Sequence, residues 1–258
     1  MTVLAEHVIK QLIQIEAGVH YCELPPPEHN PFVLIERESP IILSAPHGAI
    51  TFRNDGDEIW HDEDEYTAGI ALLLSEICKT SVIATVWRTA DSDPNHSPKD
   101  KSGYKRALGE ILATGKLRWV IDLHGAKEKN DRLADTQKID LGAGKNNEYL
   151  PADAYKTLVQ SIEMYLGPGT ADRNGYKGFS ATEAGRIAAF AHSFEKVWSM
   201  QLEMKPSVRV PLRRVDASMY GKNPNQGGGP YSAPPHKVLG NLQAIVDFIN
   251  YLKSMKEP

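Results

Sequence analysis

The chain has 258 residues, of which 41% are hydrophobic and 24% charged, and its formal net charge is -4. This balance offers no basic field for nucleic acid or an anionic membrane, and no apolar run is long enough to span a bilayer. The two cysteines form no CxxC pair, which excludes a cysteine zinc site and argues against a disulfide framework. The N-terminus lacks the pattern of a signal peptide, so a cytoplasmic protein is expected.

The first half of the chain is predicted to alternate between helices and short apolar strands. Apolar spacing indicates a helix at 3–17, and a proline-rich loop follows at 24–31. Two buried strands are predicted at Phe32–Ile35 and Ile41–Ala45, because each is an apolar run bounded by breakers. A helix at 64–77, a strand at 81–87 and a helix at 101–114 complete this half.

The second half continues the alternation. Strands are predicted at 118–123 and 197–204, and helices at 152–165 and 237–253. A long glycine-rich and proline-rich segment, 221–235, is interpreted as a flexible loop that is either functional or simply a solvated connection. Nearly continuous apolar strands between helices are typical of an α/β fold with a buried, mostly parallel sheet. We expect one domain over 1–258.

Polar side chains stand at the ends of three predicted strands. His47 follows the strand Ile41–Ala45, His124 follows the strand 118–123, and Glu203 lies inside the strand 197–204. Ligands of open α/β sheets bind beyond the carboxyl ends of strands, and a catalytic zinc needs three protein ligands and one open position. Taken alone, His47 is more often a hydrogen-bonded structural residue than a metal ligand. For His124, the structural role and the ligand role are equally weighted.

An acidic run, 62–65, precedes the predicted helix at 64–77. Acidic residues favour helix N-termini through capping and the helix dipole, so the run does not require a function. A metal ligand within it is the alternative. Asp122, two residues before His124, is interpreted as a structural residue facing away from it, with a hydrogen bond to a histidine as the alternative.

Five motifs in order resemble those of N-formylglutamate amidohydrolases, within the wider zinc carboxypeptidase and aminoacylase-like superfamily. They are SAPHG at 44–48, the acidic segment ending in Asp64, WRTADSDPNH at 87–96, DLHG at 122–125 and MQLEM at 200–204. The resemblance covers most of the chain. It implies a three-layer α/β/α fold of the zinc carboxypeptidase (phosphorylase/hydrolase-like) type, with a mostly parallel or mixed central sheet.

The resemblance also implies roles for individual residues. It makes His47, Asp64 and His124 the ligands of a Zn²⁺ cofactor, although Asp62, Glu63 or Glu65 could replace Asp64 with a small shift of register. Glu203 matches the catalytic glutamate, which would take a proton from water and pass it to the leaving amine. Arg88, Asp93 and Asn95 match family residues around the substrate pocket, and His192 matches one less closely. Arg88 could also stabilise the oxyanion.

His96 stands where the family usually has an arginine that binds a substrate carboxylate. If His96 takes over that role, binding should weaken as the pH rises past its pKa. Arg88, Arg132 and Arg173 are other candidates for the missing charge.

The expected function is that of a zinc-dependent amidohydrolase acting on an N-acyl, N-formyl-like amino acid. A carboxypeptidase-like enzyme acting on a peptide or cell-wall fragment is the first alternative. A metal-stabilised binding protein without turnover is the second.

Overall fold

A computed structural model describes residues 4–55, 58–90, 92–129, 134–172, 186–218 and 232–255. The strands are β1 (Phe32–Ile35), β2 (Ile41–Ala45), β3 (Thr51–Asp55), β4 (Glu58–His61), β5 (Ser81–Thr85), β6 (Trp119–Gly125), β7 (Ile139–Gly142), β8 (Ala171–Asp172) and β9 (Trp198–Met204). The α-helices are α1 (His7–Glu16), α2 (Thr67–Cys78), α3 (Gly103–Ala113), α4 (Ala152–Leu166), α5 (Ile187–His192), α6 (Pro206–Arg209) and α7 (Pro235–Ser254). Short 3-10 helices occupy Lys99–Lys101 and Lys145–Asn147.

Seven strands form a mixed sheet in the order β1-β5-β2-β6-β9-β7-β8, and β3 pairs with β4 in a separate hairpin. The central strands β5, β2, β6 and β9 are parallel to one another. β1 is antiparallel to β5, and β7 is antiparallel to β9. Because the four central strands run in the same direction, their carboxyl ends meet at one edge of the sheet.

Helices cover both faces of the sheet, which gives the α/β/α layering expected from the resemblance. Alternate residues of β2 face opposite layers: Ile41 and Leu43 pack in a large cluster with α1, α2, α4 and α7. Ile42 packs in a smaller cluster with Tyr104 and Leu108 of α3 and with residues of α5. The two-residue period of a strand therefore divides one apolar run between two cores.

The expected α/β class is confirmed, and β1 and β2 have the predicted bounds. The other predicted helices and strands are present with shifted ends. The hairpin β3–β4, the strands β7 and β8, and the helices α5 and α6 were not predicted, because segments of two to six residues carry too few apolar positions to reveal a period. Most of the loop at 221–235 lies outside the described residues. Within the described ranges, no helix has both the length and the apolar character needed to cross a bilayer.

Candidate metal centre

The carboxyl edge of the sheet brings together the polar residues that follow its central strands. His47 comes two residues after β2, and His124 lies near the end of β6. Glu203 of β9 is directly opposite His124 in the parallel register, so both side chains point to the same face of the sheet. Asp64 reaches this edge from the segment before α2, where its backbone N–H donates to the His47 carbonyl over 2.7 Å.

His47, Asp64 and His124 form a buried cluster that could hold a metal ion, with one ligand atom from each residue within 4.8 Å of the others. The Asp64 Oδ2 atom lies 3.5 Å from His47 Nδ1 and 3.3 Å from His124 Nδ1. Both histidines therefore direct the same ring nitrogen toward the same carboxylate oxygen.

The second ring nitrogen of each histidine is bonded to another carboxylate. His47 Nε2 donates to Asp93 Oδ1, and His124 Nε2 donates to Asp122 Oδ2, each over 2.8 Å. In a neutral imidazole, a proton held at Nε2 leaves Nδ1 as a lone pair, which is the form that binds a metal. The two outer carboxylates thus select the tautomer that presents Nδ1 to the centre of the cluster.

These residues fit a zinc ion. His47 Nδ1 is buried and has no hydrogen-bond partner among the described residues, a costly state for a polar atom unless it is satisfied by a ligand. Two imidazoles and one carboxylate form a donor set that zinc takes in catalytic sites, where a fourth position stays open for water. The three converging lone pairs therefore suit a cation of this kind.

The acidic residues of the run 62–65 have different partners in the structure. Asp64 joins the histidine cluster, whereas Glu63 accepts from the backbone N–H of Ser218 over 2.7 Å. Glu65 pairs with Arg213 over 2.9 Å. Asp64 is thus the member of the run whose carboxylate faces both histidines.

The interpretation of Asp122 as facing away from His124 is wrong. Residues two apart on a strand share a face, so the side chains of Asp122 and His124 lie side by side and form the hydrogen bond described above. Asp122 is fully buried and also accepts from Ser44 Oγ over 2.7 Å. Its position is that of a hydrogen-bond partner that orients the His124 ring.

Charges in the cluster oppose the effect of burial. Burial disfavours the ionised form of Asp64, yet the close contacts with His124 and His47 hold its pKa well below the ordinary value. Burial likewise lowers the pKa of His124, but the carboxylates of Asp122, Asp64 and Glu203 together outweigh burial and raise this pKa well above the ordinary value. For Glu203, burial dominates and the pKa is raised, while the nearby His124 acts in the opposite direction. A carboxylate with a raised pKa beside this cluster is suited to accept a proton.

A cavity of about 350 Å³ opens beside Asp64. Its wall includes Trp60, His61 and the glycine at the end of β6, Gly125. The cavity is also lined by four basic residues: Arg53, Lys127, Arg209 and Arg213. Arg88 is not among the lining residues; its guanidinium lies 4.9 Å from the centroid of the Trp60 ring.

The predicted pocket residues Asp93 and Asn95 are buried and bonded within the protein. Asp93 bonds His47, and its Oδ2 accepts from Arg53 Nε over 2.9 Å. The Asn95 side-chain oxygen accepts from the Ile187 backbone N–H over 2.9 Å. Both residues therefore hold neighbouring groups of the site in position, and their contact with substrate stays a prediction.

The role of His96 as an anion binder stays a prediction, but its surroundings disfavour the charged form of its imidazole. Burial and the positive charges of Arg186 and Arg53 lower the pKa of His96 to about 4, despite the opposing effect of Asp93. His96 is therefore neutral at pH 7, and its Nε2 lies 2.7 Å from Arg186 Nη1, from which it accepts a hydrogen bond. Arg132 and Arg173, the other candidates for the missing charge, lie outside the described residues.

His192 lies apart from the cluster. It ends α5, stacks on Tyr149 with ring centroids 4.2 Å apart, and lies 6.1 Å from the Trp198 ring. Trp198 begins β9, so this region is at the amino edge of the sheet, opposite Glu203. His192 is only six residues from Trp198 in the chain, but this distance did not predict at which edge of the sheet His192 would lie.

Three residues of the site were not predicted. His61 stacks on His47 with ring centroids 4.1 Å apart, and Arg53 and Arg209 line the cavity. Burial and the charge of His47 lower the pKa of His61 to about 3. The proximity of His61 to the acidic run was an available signal. No local pattern marked Arg53 or Arg209, because both reach the site through an unpredicted hairpin or helix.

Comparison of the sequence with models of protein families and with curated proteins finds no match. The fold is similar to that of a metallo-carboxypeptidase from Pseudomonas aeruginosa, with 11% identity, 97% of this chain and 70% of that chain covered, and a TM-score of 0.46. It is also similar to a cell shape determinant protein from Helicobacter pylori, with 11% identity, coverage of 88% and 57%, and a TM-score of 0.49. A succinylglutamate desuccinylase from Chromobacterium violaceum matches with 9% identity, coverage of 98% and 79%, and a TM-score of 0.44.

Proposed function

We propose that this protein is a zinc-dependent hydrolase that cleaves the amide bond of an N-acyl amino acid. His47, Asp64 and His124 would hold the metal, and Glu203 would act as the general base. The observation that carries this proposal is the convergence of two histidine Nδ1 atoms on Asp64 Oδ2 beside Glu203, with both Nε2 atoms held by buried carboxylates.

The chemistry follows from the positions of the side chains. A zinc ion held by these residues would polarise the scissile carbonyl and lower the pKa of an attacking water to about 7. Glu203 would take the proton of that water and deliver it to the leaving amine nitrogen. Gln201 Nε2 donates to Glu203 Oε1 over 2.6 Å and would keep this carboxylate oriented for both transfers.

Asp93 and Asp122 would act as positioning residues for the two histidines. Each binds the Nε2–H group of its histidine, so each fixes both the ring orientation and the tautomer. Stabilisation of the oxyanion by Arg88 stays a prediction. Arg53 is a second candidate for that role because it lines the cavity.

The substrate assignment is supported by the resemblance to N-formylglutamate amidohydrolases and by the cationic groups around the site. Arg53 and Arg209 line the cavity, and Arg186 stands beside His96, where the family has its carboxylate-binding arginine. A small substrate with a carboxylate near the scissile amide suits these charges. A cavity of about 350 Å³ is large enough for an amino acid with a short acyl group.

The first experiment is elemental analysis of the purified protein, followed by a substrate panel. About one zinc per chain is expected, and removal of the metal by a chelator should abolish turnover until zinc is restored. The panel compares N-formyl, N-acetyl and N-succinyl amino acids with short peptides. Metal-free protein with undiminished turnover would contradict the proposal.

The panel also decides between the alternatives. Preference for peptides with a free C-terminus would identify the carboxypeptidase-like enzyme instead. One bound zinc without turnover of any substrate would identify a metal-stabilised binding protein, in which Glu203 has no role in catalysis.

A further inference from the structure

Arg209 occupies an unusual position beside the metal centre. It ends the short helix α6, which follows β9 directly, so it is six residues from Glu203 in the chain. Its side chain is almost fully buried, with 4% of the residue exposed, and it lines the cavity together with Asp64.

The guanidinium lies directly against the backbone at Gly125. A Cβ atom on Gly125 would stand 2.6 Å from Arg209 Nη2 and 2.8 Å from its Cζ. The same point is 3.1 Å from the Asp64 Cβ atom. The glycine at this position, one residue after His124, lets the guanidinium lie against the backbone beside the cluster, and a larger residue would require the guanidinium to shift.

Arg209 has few partners for its charge. Its Nε donates to the Met204 carbonyl over 3.2 Å. Its Nη1 is buried and has no hydrogen-bond partner among the described residues, and no carboxylate in those residues pairs with it. Burial of a cation whose guanidinium has so few direct partners is costly, and a bound anion would offset that cost.

The other buried or partly buried cations of the cavity already have anionic partners. Arg213 pairs with Glu65 over 2.9 Å, and Arg53 pairs with Asp93 over 2.9 Å. Lys127 is exposed to solvent. Arg209 is therefore the buried cation of this cavity whose charge is left for a ligand.

We propose that Arg209 binds a carboxylate of the substrate and so selects acyl amino acids that carry a free acid next to the scissile amide. This inference rests on the proposed function. Two adjacent guanidinium N–H groups can hold a carboxylate through two parallel hydrogen bonds, a geometry that lysine and histidine cannot reproduce. Gly125 acts as a positioning residue because it admits the guanidinium.

The test compares Arg209→Gln and Arg209→Lys with Arg186→Gln, which removes the cation beside His96. Arg106→Gln, at an exposed position of α3, is the matched control. Zinc content and circular dichroism are measured first, and Arg209→Lys preserves the test if the glutamine variant fails to fold. Substrates are N-acyl amino acids and the corresponding primary amides, which lack the charge.

We expect Arg209→Gln to lose on the order of 10²-fold in kcat/KM on the acids, mainly through KM, with little change on the amides. Arg209→Lys should lose less, because it keeps the charge without the planar fork. Calorimetric titration with glutarate, with glutaramide as the uncharged control, gives a readout without turnover. Wild-type and Arg106→Gln proteins should bind glutarate, and Arg209→Gln should not.

The outcomes separate the two proposals. Glutarate binding that depends on Arg209, without hydrolysis of any substrate, would support the anion site and contradict the hydrolase. Hydrolysis of acids and amides at equal rates, with unchanged glutarate binding in Arg209→Gln, would overturn the anion site and leave the hydrolase standing. Loss of acid preference only in Arg186→Gln would also overturn it and would assign the carboxylate to Arg186.

Discussion

Two buried carboxylates approach the start of helix α2 from opposite sides, and their surroundings differ in kind. Asp64 faces the histidine cluster, whereas Glu16, the last residue of α1, faces the core behind the helix. Glu16 Oε1 accepts from the Tyr66 backbone N–H over 2.7 Å, and its Oε2 accepts from the Gly69 N–H over 2.8 Å. Glu16 thus caps α2 through a tertiary contact, since Tyr66 at the N-cap position provides no side-chain cap.

The pKa values of the two acids move in opposite directions. Burial raises the pKa of Glu16 to about 7, because hydrogen bonds from Tyr21 and two amides only partly counteract it and the charge of Arg214 adds little. Burial acts on Asp64 in the same sense, but the histidines reverse the result. A buried acid is therefore no sign of a metal site by itself. The lone pairs and charges that converge on a buried acid distinguish a metal site from a structural carboxylate.

The largest effect is expected for His124→Ala, which removes one imidazole from the Asp64 side. The variant should lose its metal and its turnover, and its melting temperature should fall because bound metal stabilises the folded state, by about 4 kcal/mol at a thousandfold excess over Kd. Elemental analysis and thermal melts check this outcome. His236→Ala, at an exposed position of α7, is the matched control. Full zinc content in His124→Ala would move the ligand set elsewhere.

The next largest effect is expected for Glu203→Gln, which keeps the size of the side chain but cannot accept a proton. Zinc content and folding should survive, while kcat falls by about 10²–10⁴-fold, the usual contribution of general acid–base catalysis. Zinc, melting temperature and kcat are measured on the same preparation. Retained activity would assign the base to another residue, and lost zinc would make Glu203 a ligand.

A smaller effect is expected for Asp122→Asn. The neutral amide can still accept from His124 Nε2, but it no longer makes the imidazole more basic, so zinc affinity should fall by about 10–100-fold. Competition with a chelator measures the change in Kd. At saturating zinc, turnover should return to nearly the wild-type rate. An unchanged zinc affinity would limit Asp122 to a packing role.

The smallest effect on turnover is expected for Glu16→Gln, which tests the other side of α2. Because the folded pKa of Glu16, about 7, exceeds the ordinary value of 4.5 for a glutamate, the folded state keeps a proton that the unfolded state loses between these values. The stability contributed by Glu16 is therefore fully present below pH 4.5 and is lost as the pH rises through 7, by about 3 kcal/mol in all.

Denaturant titrations across this pH range should show that fall in the wild type and its absence in Glu16→Gln. The matched control is Glu6→Gln, at the exposed position directly before α1, which should keep the wild-type dependence. Zinc content should be unaffected in both variants. An identical pH dependence in all three proteins would show that Glu16 has the same pKa in the folded and unfolded states.

Much of the central sheet could be predicted because its signal is local. β1 and β2 are short apolar runs bounded by breakers, and α7 has a clear helical period. Short elements such as β7 and α6 have no such signal, and Arg209 was missed for that reason. The positions of His47 and His124 after apolar strands pointed to one edge, because parallel strands end together.

The sequence by itself determined the α/β class, the strand ends that carry the two histidines and the motifs that resemble an amidohydrolase family. Only the tertiary structure decided which acid of the run 62–65 meets the histidines, since all four share the same local pattern. It also decided that Asp93 and Asp122 hold the Nε2 atoms, that Arg186 lies beside His96, and that Arg209 lies against Gly125. The physical reason is range: apolar periodicity acts over a few residues, whereas hydrogen bonds and charges act between side chains that are often distant in the chain.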